Sequence, residues 1–130
     1  MKSPDGRPAD RVSASVITLN LESELKALRA SASYKRNDHA SATLVNRPGL
    51  GSVLVALPKG GLLKEHRASR PILVTVLEGK VRLELKDRAI AMGPGDVAAL
   101  APGMVHTVIG IEDGAFLLAM GGRADRSSTD

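Results

Sequence analysis

Residues 60–106 read GGLLKEHRASRPILVTVLEGKVRLELKDRAIAMGPGDVAALAPGMVH, and nearly every position in this stretch belongs to a strand or to a tight turn. Ile72 to Leu77 is a short apolar run, and Glu78-Gly79 is a turn. Beyond the turn, Val81, Leu83 and Leu85 alternate with Arg82, Glu84 and Lys86, the period-two pattern of a strand with one face buried and one in water. The short connection predicts a hairpin between these two runs. Asp87-Arg88 closes the next turn, Ile90 to Met92 is a brief strand, and Gly93-Pro94-Gly95-Asp96 reverses the chain again.

The same period continues on both sides. Upstream, Thr43 to Asn46 and Val53 to Leu57 read as strands; downstream, Val97 to Ala101, His106 to Ile111 and Ala115 to Met120 do. The last two are joined by Glu112-Asp113-Gly114, read as a hairpin loop with a left-handed glycine. Leu21, Leu25 and Leu28 follow helical spacing instead, with Asn20 at the N-cap and Glu22 and Glu24 in the first turn, which predicts one helix over 20–31. Ahead of it Val12 to Thr18 is read as a short strand, and residues 1–10 as a mobile tail. Ser31 to Ala42, which holds Tyr34 and His39, is a polar crossing of the surface, and His39 is expected to be exposed and without a role. The expected organisation is a tail, strand and helix in 1–40, a β-barrel in 41–120 and a flexible tail in 121–130.

Composition narrows the function classes. The chain has 130 residues, the size of a single domain, and no cysteine, so disulfides, thiolate metal sites and thiol nucleophiles are excluded. The net charge of +4 is spread along the sequence, and one Tyr, one Phe and no Trp leave little to stack on a base, which argues against nucleic acid. No run approaches the roughly 18 apolar residues of a membrane span, and the N-terminus lacks the apolar core of a signal peptide, so a cytoplasmic protein without membrane contact is expected. Ile72–Leu77, Val97–Ala101 and Phe116–Met120 are apolar on both parities, so each needs cover on its outer side, and a homodimer is expected to supply it.

Gly60, His66 and Gly79 keep the spacing of the motif G-x5-H-x-H-x3-4-E-x6-G, and Gly95, Gly103 and His106 that of G-x5-P-x-G-x2-H-x3-N, with Pro102 one place late. Over residues 41–120 the chain therefore resembles the cupins, small jelly-roll barrels whose metal site is built from these two motifs. The resemblance implies an all-β, double-stranded β-helix barrel with one short N-terminal helix, and makes His66 and His106 the candidate metal ligands. It also shows departures. Ala68 stands where the second histidine belongs, Ile72 or Leu73 where the glutamate belongs, and Gly110 where the asparagine belongs. Two imidazoles hold a divalent transition metal (Zn, Ni, Fe, Mn or Cu) only with water, substrate or other side chains in the remaining positions.

Strand parity then selects what faces the barrel interior. With His66 inward, Ala68, Ile72, Val74 and Val76 share its side; with His106, so do Met104 and Val108. Met104 is either a soft third ligand for copper or a gap-filler of the core. The expected site is thus an apolar cavity with two imidazoles, lined by His66, His106, Met104, Ile72, Val74 and Val76. Two functions compete for it: binding or sensing of a small, mostly apolar ligand with metal absent or weakly held, and a metal-dependent enzyme of the dioxygenase or isomerase type using His66 and His106. Arg67 and Arg70 flank the expected mouth, where each is read as a solvated charge rather than an anion clamp.

Overall fold

The computed structural model describes residues 15–64 and 68–122. Helix α1 (Leu21–Arg29) starts where its cap predicts, with the Ser23 amide donating to Asn20 Oδ1 at 2.9 Å. A single further turn, α2 (Ala32–Lys35), is capped by Ser31 and leads into the strands. The expected strand at Val12 to Thr18 does not form in its described part: Ser15 to Asn20 approaches α1 without pairing to anything, and residues 11–14, like the 1–10 tail, lie outside the described residues.

Among the described residues nine strands follow: β1 (Ala40–Arg47), β2 (Gly49–Leu57), β3 (Leu62–Lys64), β4 (Ile72–Glu78), β5 (Val81–Leu85), β6 (Ala89–Met92), β7 (Val97–Leu100), β8 (His106–Gly110) and β9 (Gly114–Gly122). They make a five-stranded sheet in the order β1-β2-β9-β4-β7 and a four-stranded sheet in the order β3-β8-β5-β6. Each described pair is antiparallel, as a jelly roll requires. No helix among the described residues is long and apolar enough to cross a membrane.

Two expected hairpins turn out to be corners. β4 pairs with β7 and β9, whereas β5 pairs with β6 and β8, so Glu78-Gly79-Lys80 carries the chain from one sheet to the other. Glu112-Asp113 does the same between β8 and β9. The corners pack on each other, and this decides their residues. Gly79 has φ +72, and a Cβ there would collide with the backbone of Asp113 and Gly114. Gly114 is not left-handed as expected; it must be glycine because a Cβ would come within 2.6 Å of the Glu78 carbonyl oxygen.

Inward residues of the larger sheet line up across strands, Val55–Phe116–Val76 in one row and Val53–Leu118–Val74–Ala98 in the next. From the smaller sheet Val81, Leu83, Met92 and Val108 meet them, and all but the flanking Val53 and Ala98 are buried in one continuous core. A second core lies on the outside of the larger sheet, where α1 sets Leu25 against Leu44, Leu54, Ala56 and Ala115. Leu44 reaches it through a bulge, because Thr43 and Val45 pair with the consecutive residues Val53 and Ser52. Burying Leu25 contributes about 2 kcal/mol. Arg29 fastens the helix to the corner by a 2.8 Å ion pair with Glu78. Burial opposes the charge on this guanidinium, but the hydrogen bond and charge of Glu78, aided by Tyr34, outweigh it and raise its pKa.

Candidate functional site

The two ends of the barrel differ. At the corner end, Val76 and Phe116 keep 1% and 0% of their surface, and Pro58 closes over Gly110, whose carbonyl accepts from the Gly60 amide at 2.8 Å. At the other end exposure returns to the inward row: Ile72 keeps 6%, Leu100 6% and Leu118 9%, beside the half-buried Ala98 and Met120. The inward rows are therefore less completely covered at the end where β4 begins and β7 finishes, the more open end of the barrel.

His106 sits at that end. It is the first residue of β8, opposite Leu85, and only 2% of its surface is exposed. Its ring Nδ1 lies 3.3 Å from the Met104 carbonyl oxygen. A carbonyl can only accept, so this contact favours the tautomer with the proton on Nδ1 and leaves a lone pair on Nε2. Nε2 is buried and has no hydrogen-bond partner among the described residues. An orphaned acceptor of this kind costs about 1–3 kcal/mol unless something fills it.

The loop before β8 is held in place by Gly103, in left-handed conformation at φ +89, whose amide donates to the Ala68 carbonyl at 2.7 Å. That bond draws together the two segments that carry the sequence motifs. Of the residues expected to line a cavity, Ile72, Val74 and Val76 do face inward from β4 and belong to the packed core, together with Val108. Ile72 is at the open end, while Val74 and Val76 keep 1% exposure each and are walled in by neighbours. Met104 departs from its expected parity: it precedes the strand, 37% of its surface is exposed, and its backbone oxygen rather than its sulfur approaches the imidazole. His66, with Glu65 and Arg67, lies outside the described residues. His39 is half-buried, with Nδ1 3.3 Å from Asp38 Oδ1.

Among the described residues no three His, Asp or Glu side chains cluster as metal ligands. Apart from His66, which lies outside the described residues, the motif positions that would complete a set with His106 hold Ala68, Ile72 and Gly110, none of which offers a side-chain donor. Ala68, Ile72 and Gly110 therefore add no ligand to His106.

Sequence spacing missed Arg70 as a structured residue. Its Nε donates to the Gly121 carbonyl at 3.2 Å and its Nη2 to that of Met120 at 3.4 Å. Only the pairing of β9 with β2 and β4, remote in sequence, brings those carbonyls within reach.

A family model described as Cupin domain matches residues 53–120. No functionally curated protein matches the chain. Among solved structures, a conserved protein of unknown function from Streptococcus pyogenes is similar at 24% identity, over 67% of this chain and 76% of that one, with a TM-score of 0.62. A cupin superfamily protein from Desulfitobacterium hafniense aligns at 20% identity over 66% of this chain and 79% of its own, TM-score 0.63. An RmlC-like cupin with a double-stranded β-helix fold from Methanocaldococcus jannaschii aligns over 90% and 98% of the two chains, at 13% identity and TM-score 0.68.

Proposed function

Since the chain belongs to the cupin domain family, we propose that it binds or senses a small, mostly apolar molecule at the open end of its barrel, with metal absent or weakly held. The observation that carries this reading is the buried Nε2 of His106, without a partner among the described residues, at the same end of the barrel as inward Ile72 and Leu100. An apolar wall with one acceptor suits a ligand whose carbon chain displaces water and whose single hydroxyl or amine donates to the ring. The exposed apolar residues outside the larger sheet support a homodimer as the working form.

A metal-dependent enzyme using His66 and His106 is the second reading. It is favoured by the same Nε2, the atom that would ligate a metal, and by the shared motif spacing of the two histidines.

One titration separates the two. The ring protons of His106 are followed by NMR while 1-hexanol, and separately zinc, is added to the full chain. The expected result is a saturable shift with 1-hexanol. No response to 1-hexanol would sink the binding reading. A zinc response, joined to stoichiometric metal that is lost in both His66→Ala and His106→Ala, would establish the enzyme in its place.

A further inference from the structure

We infer that the ligand carries a carboxylate as well as an apolar body, and that Arg70 is the specificity-determining residue that reads it. This rests on the binding reading above and adds a chemical class to it.

Gly51 locates the guanidinium. Gly51 pairs with Met120, in the inward row that continues Val55–Phe116 and Val53–Leu118, so the side chain it lacks would point into the barrel. A Cβ there would lie 3.3 Å from Met120 Cε, 3.5 Å from Arg70 Nη1 and 3.7 Å from Arg70 Nη2. The guanidinium therefore rests over the inward side of Gly51, at the same end as Ile72, Leu100 and His106.

Among the described residues its charge has no carboxylate partner. A guanidinium has five N–H donors; two are used on the Gly121 and Met120 carbonyls, leaving three, including both on Nη1. Those bonds fix the plane of the fork without neutralising it. Carboxylates seen in ion pairs, Glu78 with Arg29 and Glu84 with Arg82, are engaged elsewhere, and none among the described residues pairs with Arg70. A half-buried cation beside apolar side chains is poorly solvated, and a carboxylate matches the geometry of its remaining edge.

His106 supplies a second polar point that a carboxylate cannot use, because its Nε2 accepts. The complementary molecule therefore has an O–H or N–H donor at one end, a carboxylate at the other and a carbon chain between them. Arg70 contacts the larger sheet through β9, and His106 belongs to the smaller one, so the chain crosses a gap of roughly 10 Å, the usual spacing of facing sheets.

Two probes of equal length test this. 1-Hexanol and 6-hydroxyhexanoate share a hydroxyl and a five-methylene chain, and differ in ending in a methyl group or a carboxylate. Binding of each to the full chain is measured by NMR shift titration, in the parent protein and in Arg70→Gln and Arg70→Lys, with thermal unfolding confirming that each variant is folded. Gln retains an N–H for the β9 carbonyls and Lys retains the charge. The parent is expected to prefer 6-hydroxyhexanoate by about tenfold. Arg70→Gln should abolish that preference, bringing the affinity for 6-hydroxyhexanoate down to that for 1-hexanol, and Arg70→Lys should keep part of it and lose it in high salt. Equal binding of the two probes by the parent overturns the inference and leaves the binding reading standing. A preference that survives in Arg70→Gln also overturns it, making Arg70 only a fastening for β9. Failure of both probes to bind overturns the inference and the reading together.

Discussion

At the scale of single residues, His106 is where folding and function pull apart. Its Nε2 gains nothing from the described protein around it, and the ring earns only one 3.3 Å contact, to Met104. Replacing it with an apolar side chain of similar volume removes an unpaired buried acceptor at the expense of that one bond. His106→Leu is therefore expected to stabilise the protein by about 1 kcal/mol in a urea titration while abolishing 1-hexanol binding followed on the backbone amides. A loss of more than about 2 kcal/mol would mean that the ring nitrogen has a partner in the free protein. The sequence made His106 legible through its fixed distance from Gly95 and Gly103. It could not reveal Arg70, whose partners are carbonyls of a strand fifty residues away. Nor did alternation extend to Met104, because Gly103 turns the chain just before it and β8 starts only at His106.

At the scale of elements, periodicity identified every strand except β3, whose three residues are too few to show a period. What it could not decide was which strands pair. A tight turn containing glycine looks the same whether it closes a hairpin or bends a chain between sheets, since the difference lies in contacts remote in sequence. A usable signal existed: β4 is apolar on both parities and β5 alternates, which suits strands in different sheets better than partners in one. The buried and exposed positions of these strands give a direct test. Val76 keeps 1% of its surface, so Val76→Asp places an unpaired carboxylate in the core and is expected to cost several kcal/mol. Arg82 pairs with Glu84 at 3.0 Å in solvent, so Arg82→Ala should cost about 0.5 kcal/mol or less. Comparable losses from the two in denaturant would contradict the inward register of β4.

For the whole molecule, the larger sheet is covered unevenly. α1 lies over Leu54, Ala56 and Ala115, while Leu50, Leu73 and Val97 remain 41–55% exposed on the same outer side. An apolar groove of about 330 Å³ runs from them over the end of the sheet, lined by Leu50, Leu73 and Ala99 and by the inward Ile72, Leu100 and Met120, with no charged residue. A second copy presents the same uncharged surface, and a two-fold axis sets like against like. A dimer is accordingly the expected species in sedimentation equilibrium at high micromolar concentration, with Leu73→Lys shifting it toward monomer; a parent protein of monomer mass would refute the pairing. The strand order of this sheet also bears on how the chain is made. β9, the last strand, lies between β2 and β4 and is hydrogen-bonded to both. On a ribosome, β2 and β4 emerge before the strand that joins them, so two open edges wait until β9 has been made. Closure of the sheet thus draws together segments some sixty residues apart, a topology that folds slowly and leaves the nascent form exposed to aggregation until β9 is in place.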